Sequence, residues 1–266
     1  MSSGSRDIPL HHPSATPRDS STSLGMTNLM LPPFSFVIPC CNEASRIGKT
    51  LRLALDYLAS NAPESELIVV NDGSTDATST VAREALASAR IANRLLENFP
   101  NRGKGAAVRT GLLAAKQSIA LYSDADLSTP LEETPKLIEP IARDEIDIGF
   151  GSRALDRSLI GEHQSWRREQ AGRIFNFIVR HFTGLPFWDT QCGFKAFRMA
   201  VCRPLIEAAR IDGFGFDVEI LYLATHNGLR LREIPVRWNH HEGSKVQLVR
   251  DALRMLRELT ELRAKL

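Results

Sequence analysis

Short apolar runs alternate with amphipathic segments between residues 34 and 153, and this alternation limits the folds that the chain can adopt. Strands are predicted near residues 34–39, 67–70, 94–97, 119–123 and 146–153. The segments between them begin with polar or glycine-rich turns and then carry apolar residues at helical spacing, as at 43–60 and 131–142. Strands that alternate with helices form parallel sheets covered on both faces. The pattern predicts an α/β, Rossmann-like fold with a mostly parallel sheet and helices on both faces.

The ends of the chain differ in composition from its middle. Residues 1–32 are rich in Ser, Thr and Pro and are predicted to form a disordered tail. Residues 245–266 place Val and Leu at helical spacing among arginines, which predicts a basic, amphipathic C-terminal helix. Residues 33–244 remain for one large domain. With 266 residues, 43% of them hydrophobic, the chain is long enough to bury a sizeable core.

Charge and cysteine content exclude several classes of protein. The net charge is +2, which gives no support for a nucleic-acid partner. The four cysteines lack metal-binding spacing and are interpreted as reduced thiols of a cytosolic protein. No run approaches the roughly 18 to 20 apolar residues that span a bilayer, so we expect a soluble or surface-bound protein.

Two carboxylates follow the predicted strand at 119–123. Asp124 and Asp126 stand at its C-terminal end, where ligands collect in open α/β sheets. Carboxylate oxygens suit Mg²⁺ or Mn²⁺, and an ion held there could bridge a diphosphate. The alternative is that both residues only end the strand and cap the next helix. Asp72 and Arg153 end two other strands, so the sequence predicts a crevice with acidic and basic sides.

A glycine-rich segment at 101–111 opens a predicted helix. Gly103 and Gly105 are expected to let backbone N–H groups approach a phosphate, and Lys104 supplies a point charge beside them. The segment matches neither the Walker loop nor the dinucleotide-binding fingerprint. Nucleoside triphosphatase and dehydrogenase functions therefore lose their main supports.

Four motifs stand in an order that resembles the family 2 glycosyltransferases of the GT-A fold. They are V-I-P-C-C-N-E at 37–43, V-N-D-G-S-T-D at 70–76, N-R-G-K-G at 101–105 and D-A-D at 124–126. The later half is similar to the dolichyl-phosphate β-glucosyltransferase branch and its polyprenyl-phosphate relatives. Its motifs are D-T-Q-C-G-F-K at 189–195, G-F-G-F-D-V-E at 213–219, E-I-P-V-R-W at 233–238 and G-S-K at 243–245.

This resemblance implies roles for residues on the donor side of the crevice. Pro39, Glu43 and Asp72 match positions that bind the nucleoside. Lys104 falls near the diphosphate. Asp124 matches a carboxylate that holds both the donor sugar and the metal.

The resemblance also implies the reacting set. Asp126 is the second metal-binding carboxylate, and Arg153 and Lys195 fall where relatives hold the acceptor phosphate. These three are the predicted catalytic residues, with Mg²⁺ or Mn²⁺ as the cofactor. Ser128 departs from mannosyl-phosphate synthases, which often carry Gln there as a further metal ligand. We leave it out of the metal set.

The implied function is inverting transfer of a sugar, with glucose from UDP-glucose expected, to a dolichyl or polyprenyl phosphate. A lipid phosphate is already anionic and needs positioning cations more than a general base. The alternative is an inverting enzyme that uses a hydroxyl acceptor in cell-envelope polysaccharide or glycoconjugate synthesis and needs a base such as Asp217. A nucleotidyltransferase and a non-catalytic nucleotide-sugar-binding module are two further alternatives. The missing glycine-rich loop after the first strand opposes the former, and the complete set of charged residues opposes the latter.

The segment 166–182 predicts a helix with a basic side and a strongly apolar side. Such a helix could lie in a membrane interface, or it could pack on the core with its basic face in water. The lipid acceptor favours a protein that is cytoplasmic and peripheral on the cytoplasmic face of the membrane, bound through this helix and the C-terminal one.

Overall fold

The computed structural model describes residues 30–161 and 166–240, together with Met1 and Arg257–Glu258. Seven strands lie within these residues: β1 Ser35–Cys40, β2 Glu66–Asp72, β3 Ala92–Asn98, β4 Ile119–Ser123, β5 Ile148–Ser152, β6 Phe194–Arg198 and β7 Leu231–Pro235. The helices within the described residues are α1 Ile47–Asn61, α2 Thr78–Ala87, α3 Lys104–Ala114, α4 Thr134–Ala142, α5 Trp166–Thr183, α6 Met199–Ala208 and α7 Phe216–His226. Short 3₁₀ turns at Leu131–Glu133 and Arg157–Leu159 complete the description.

The strands form one sheet in the order β3-β2-β1-β4-β6-β5-β7. All neighbouring strands are parallel except β6, which runs antiparallel to β4 and β5. The prediction of a mostly parallel sheet is confirmed. Because β6 is reversed, its first residues lie at the edge where β1, β2, β4 and β5 end. Lys195 there pairs with Tyr122 of β4 and with Phe150 of β5.

Helices cover both faces of the sheet, as predicted. Alternate residues of β1 divide between the faces: Phe36 and Ile38 pack with α1, α2 and α4, while Val37 packs with α3, α6 and α7. All three side chains are buried. A parallel strand covered on both faces is mostly apolar, which explains why the run at 34–39 contains a single polar side chain, the buried Ser35.

Two predicted boundaries differ from those of the structure. Leu31 is buried against the core and its N–H donates to the Asn61 carbonyl at 2.8 Å, so the folded domain begins before residue 33. The first helix begins at Ile47, four residues later than predicted. The predicted tail falls outside the described residues at positions 2–29, and the predicted C-terminal helix does so except at Arg257–Glu258, which are helical. In the described parts of the chain, no helix has the length and apolar character needed to cross a membrane.

Candidate active site

The turn after β4 presents both predicted metal ligands. The Asp124 N–H donates to the Gly193 carbonyl at 3.1 Å, and a Cβ on Gly193 would overlap the Asp124 carboxylate. Only glycine therefore lets the loop before β6 lie this close to Asp124. Asp126 Oδ1 accepts a hydrogen bond from the Ser128 N–H at 2.9 Å, around a sharp turn in which Leu127 has a φ of 49°. Both aspartates remain partly exposed to solvent.

Lys104, the first residue of α3, forms an ion pair with this turn. Its Nζ lies 2.7 Å from Asp124 Oδ1. Burial alone would lower the pKa of Lys104, but the charges of Asp124 and Asp217 raise it above its usual value. Burial raises the pKa of Asp124, while Lys104 acts against that shift. The lysine therefore remains charged at neutral pH and is the counter-ion of Asp124.

The glycines beside Lys104 meet a packing requirement that the sequence did not reveal. Gly103 has a φ of 117°, and a Cβ there would lie 2.5 Å from the Asp212 carbonyl oxygen. A Cβ on Gly105 would lie 2.6 Å from the Ile211 carbonyl oxygen. Both positions need glycine because the start of α3 packs against the backbone at 211–213. The approach of a phosphate to the N–H groups of this segment stays a prediction.

Asp72 shapes the loop that leads into α3. Its buried carboxylate accepts hydrogen bonds from the backbone N–H groups of Arg102 and Gly103, the shorter at 2.7 Å, and from Asn98 Nδ2 at 2.9 Å. If Asp72 also contacts the nucleoside, as predicted, it must do so while accepting these hydrogen bonds. The bonds themselves show that Asp72 holds the loop in place.

The loops after β1 and β2 are joined by a residue that sequence analysis missed. Asn42, at a φ of 55°, accepts hydrogen bonds on Oδ1 from the N–H groups of Thr75 and Asp76. Next to it, the Glu43 N–H donates to Thr78 Oγ1 at 2.7 Å, and its carboxylate pairs with Arg46. These bonds hold the chain out of helix until Ile47. The sequence did carry a signal for this turn: an asparagine shortly after the first predicted strand, since Asn tolerates a positive φ.

Pro39, the remaining predicted nucleoside ligand, lies in β1 directly opposite Val70 of β2. It therefore stands one residue before the end of its strand, at the same edge as Asp72. The three predicted nucleoside ligands thus come from adjacent strand ends and their loops.

Arg153 follows β5 and is held by a buried acid. Its Nε and Nη2 donate to the two carboxylate oxygens of Asp189 at 2.7 and 2.9 Å, and its backbone N–H donates to Asp189 at 3.0 Å. The guanidinium carbon lies 5.7 Å from the Trp238 ring centroid. Within the described residues Nη1 has no hydrogen-bond partner, and the Arg153 side chain is 31% exposed. Asp189 therefore holds the Arg153 guanidinium in one orientation and leaves the Nη1 side of the group available to another ligand.

A second acid organises the residue that holds Arg153. Glu233 on β7 accepts hydrogen bonds from the N–H groups of Trp188 and Asp189 at 2.9 and 2.8 Å and from Ser152 Oγ at 2.7 Å. Asp189 and Glu233 lie within the family-like motifs, but neither was predicted to have a role. Their distance from Arg153 along the chain left no local signal.

The structure corrects the role predicted for Lys195. Its side chain is fully buried, and Nζ donates to Asp217 Oδ1 at 2.7 Å, to the Cys192 carbonyl at 2.6 Å and to Tyr122 Oη at 3.2 Å. An ammonium group has three donors, and all three are used. Direct contact with an acceptor phosphate would require breaking this network. The sequence showed that a cation was present and could not show its burial.

Asp217 is the other member of this buried pair. It also accepts a hydrogen bond from Tyr122. Burial alone would raise the pKa of Asp217, but the charges of Lys195 and Lys104 hold it below its usual value. A carboxylate that is buried, ion-paired and weakly basic is poorly suited to be the general base of the hydroxyl-acceptor alternative.

Asp124 and Asp126 fit a divalent ion as a pair of carboxylate ligands. Each retains carboxylate surface at the strand edge, and Asp126 contributes to the raised pKa of Asp124. No three His, Cys, Asp or Glu side chains converge on one position in the part of the chain that the structure describes. Two carboxylates with open positions suit an ion that completes its coordination with phosphate oxygens and water.

None of the four cysteines forms a disulfide bond. Burial raises the pKa of Cys40 to about 12 and that of Cys192 to about 11. Both side chains therefore behave as small apolar groups at neutral pH.

Aromatic side chains are exposed on α5 and the loop that follows it. Phe177 is 69% exposed, Phe182 42% and Trp188 55%. The Arg180 guanidinium lies 3.9 Å from the Trp188 ring centroid. We call Phe177, Arg180, Phe182 and Trp188 the α5 patch.

The chain is similar to known proteins in sequence and in fold. Residues 35–206 match the glycosyl transferase family 2 model. The dolichyl-phosphate β-glucosyltransferase of Drosophila melanogaster is 36% identical over 85% of this chain and 72% of its own. The Saccharomyces cerevisiae protein of that name is 32% identical over 86% of this chain and 73% of its own. The glucosyl-3-phosphoglycerate synthase of Mycobacterium tuberculosis, solved with UDP, superimposes with a TM-score of 0.63 at 20% identity, covering 86% of this chain and 79% of that one.

The chain belongs to glycosyl transferase family 2. It is a glycosyltransferase, and the resemblance to the dolichyl-phosphate β-glucosyltransferase branch is confirmed. The structural match supports the GT-A fold. Structural neighbours of this kind were solved with UDP and with Mn²⁺ or Mg²⁺.

Proposed function

We propose that this enzyme transfers glucose from UDP-glucose to a dolichyl or polyprenyl phosphate with inversion, giving a β-linked lipid-phosphate sugar. The names of its relatives support the sugar and the acceptor. The donor base is supported by the Mycobacterium synthase, one structure of which holds Mn²⁺ and UDP-glucose.

The observation that carries the proposal is the fixed Arg153 guanidinium. Asp189 binds two of its nitrogens and leaves the Nη1 edge for an anion. The charge of Asp124 also acts on Arg153. The cation proposed to hold the acceptor phosphate and the carboxylate proposed to hold the donor therefore belong to the same site. A phosphate held there is already deprotonated, and its attack on the anomeric carbon needs alignment more than proton removal. The buried state of Asp217 supports this route over a hydroxyl acceptor.

On the donor side, Pro39, Glu43 and Asp72 are proposed to bind the nucleoside. Asp124 and Asp126 would hold Mg²⁺ or Mn²⁺, with Asp124 also oriented toward the donor sugar. When bound, the ion neutralises charge on the departing UDP. Lys104 is proposed to contact the diphosphate.

Lys195 keeps a place in the site through other residues. Its bonds fix Asp217 and the Cys192 carbonyl, and Cys192 directly precedes Gly193, which lies against Asp124. We therefore propose Lys195 as a positioning residue and no longer as a ligand of the acceptor phosphate.

Membrane association is proposed through the α5 patch. Its aromatic rings and Arg180 combine apolar area with positive charge, as interfacial segments do. The enzyme would lie on the cytoplasmic face of the membrane without spanning it.

Purified protein incubated with Mn²⁺, a short polyprenyl phosphate and labelled UDP-glucose, UDP-galactose, UDP-N-acetylglucosamine or GDP-mannose tests the proposal. We expect transfer from UDP-glucose alone, and the anomeric coupling constant of the product should report a β linkage. Transfer only to neutral alcohols, or an α-linked product, would contradict it.

Substitution of Arg153 tests the acceptor site separately. Arg153→Ala should lower transfer about 10²-fold or more, as losing a charge-assisted contact in a shielded site does, and leave UDP affinity unchanged. Arg153→Lys should recover part of the rate because Lys lacks the planar fork. Arg143→Ala, which removes an exposed arginine directly after α4, is the matched control.

Co-sedimentation with anionic liposomes tests the membrane contact. Trp188→Ser combined with Phe177→Ser should reduce binding, whereas Leu53→Ser, at an exposed apolar residue of α1, should not. If the Trp188→Ser, Phe177→Ser double variant binds as well as Leu53→Ser does, the membrane contact lies outside the α5 patch.

A further inference from the structure

The ammonium group of Lys104 pairs with one carboxylate and lies within the influence of two more. Asp124 Oδ1 lies 2.7 Å from Nζ, and the charges of Asp217 and Asp126 also act on it. The lysine side chain is only 21% exposed. Lys104 is thus an internal cation at the acidic turn, in the neighbourhood where a divalent ion would bind.

The Asp124 carboxylate has little room for two cations. Gly193 lies against it so closely that a Cβ would overlap its oxygens, and Lys104 binds Oδ1. A divalent ion that approaches Asp124 therefore meets the lysine at the same group. Two cations at one carboxylate repel each other, most strongly where water is scarce.

We propose that Lys104 couples metal binding to donor binding. In the donor-free protein it is the counter-ion of Asp124; when donor and metal bind together, its ammonium group moves to the diphosphate and releases the carboxylate oxygen to the metal. This inference rests on the proposed function, since it takes the metal and the nucleotide to bind at Asp124 and Asp126. Because linkage is reciprocal, UDP must then strengthen metal binding by the same factor as metal strengthens UDP binding.

Metal and nucleotide binding can be measured without turnover. Free Mn²⁺ is followed by electron paramagnetic resonance during titration of the full chain, with and without saturating UDP. UDP affinity is measured by calorimetry with and without Mn²⁺. We expect wild-type protein to bind Mn²⁺ at least about tenfold more tightly with UDP, within the usual range of coupling between sites.

Lys104→Gln removes the competing charge. Mn²⁺ alone should then bind about tenfold more tightly than to wild-type protein, because the repulsion at Asp124 is gone. UDP should bind more weakly, and the coupling factor should fall toward one. Lys104→Arg keeps the charge and should retain most of the coupling. Lys136→Gln removes a different ion-paired lysine, 2.5 Å from Glu133, and should change neither affinity.

The outcomes separate the inference from the function on which it rests. If wild-type protein binds no Mn²⁺ even with UDP, the metal assignment fails and the inference with it. If Mn²⁺ binds with UDP, but Lys104→Gln changes neither the Mn²⁺ affinity nor the coupling factor, only the role of Lys104 is wrong. Should Lys104→Gln not fold, the wild-type titration still decides, since equal Mn²⁺ affinity with and without UDP overturns the coupling.

Discussion

The two edges of the central sheet carry charged networks, and only one of them contains a fully buried ion pair. At the carboxyl edge, Lys195 and Asp217 have side-chain exposures of 0% and 5%. Lys104 and Asp124, next to them, reach 21% and 37%. Every cation in this network faces a carboxylate that the fold has taken at least partly out of water.

At the opposite edge, Arg198 and Arg230 bind Asp144 and Asp147 at 2.5 to 3.2 Å. These residues stand just before β5 and β7 and at the end of β6. Their side chains are 11 to 69% exposed. The same residue types therefore form a solvated clasp between three strand ends.

One fully buried ion pair, Lys195–Asp217, distinguishes the edge that carries the site, because each of the four pairs at the opposite edge has a side chain at least 23% exposed. A buried pair incurs a desolvation cost that an apolar pair of the same size would avoid. An exposed pair incurs little cost and contributes little. A fold that keeps Lys195 and Asp217 in its interior therefore has a use for their charge or their geometry, whereas the clasp needs no explanation beyond strand pairing.

The largest expected difference between the edges is in catalysis. Asp126→Asn should lower kcat/KM at least about 10³-fold, or about 4 kcal/mol, because it removes a charged oxygen at the proposed metal position. Asp144→Asn, which breaks ion pairs of the opposite edge, should leave the rate unchanged. Initial rates with Mn²⁺ make the comparison. Wild-type turnover in EDTA would contradict the metal assignment.

Stability should separate the edges next. Lys195→Met leaves Asp217 buried without its cation and should cost about 3 to 5 kcal/mol of unfolding free energy. Urea denaturation measures the loss. Adding Asp217→Asn should recover part of it, since the uncompensated charge is then gone. Strictly additive losses would show that the two residues do not act as a pair.

A smaller effect is expected at the contact between the β6 loop and Asp124. Gly193→Ala should keep the fold, because Gly193 has no positive φ, but its methyl group must displace the Asp124 carboxylate. Misplacing a reacting group by about 1 Å can cost 10²-fold in rate. Gly172→Ala on α5, where a Cβ meets nothing within 4 Å, is the control. Unchanged kinetics for Gly193→Ala would mean that Asp124 tolerates displacement.

Much of the architecture was predictable because parallel strands buried on both faces have a local signature. The strand positions, the helices on both faces and the strand-end location of Asp72, Asp124, Asp126 and Arg153 all follow from patterns a few residues long. The reversal of β6 had no such signal. It brings Lys195 to the site edge, where the side chain is buried.

The sequence could not show contacts between residues far apart in the chain. Gly103 and Gly105 were interpreted as phosphate-loop glycines, and the backbone near Asp212, about a hundred positions away, also requires glycine there. Motif resemblance predicted that Lys195 contacts the acceptor phosphate and could not show that its side chain is buried. Residue roles that depend on long-range packing become visible only in three dimensions.

The smallest expected effect tests the solvated edge. Hydrogen bonds from Arg230 hold the pKa of Asp147 below its usual value. A lowered folded-state pKa contributes stability that is complete above the unfolded value of about 3.9 and is lost as the pH falls through the folded value. Arg230→Ala should therefore lower stability by a small amount that is constant from about pH 7 to pH 5 and disappears in acid. Urea titrations of both proteins across this range, repeated at about 1 M salt to screen the clasp, measure the difference. A difference that persists below about pH 2, or that salt does not reduce, would mean that Arg230 acts through packing of its side chain and that the clasp is less like a surface network than its exposure indicates.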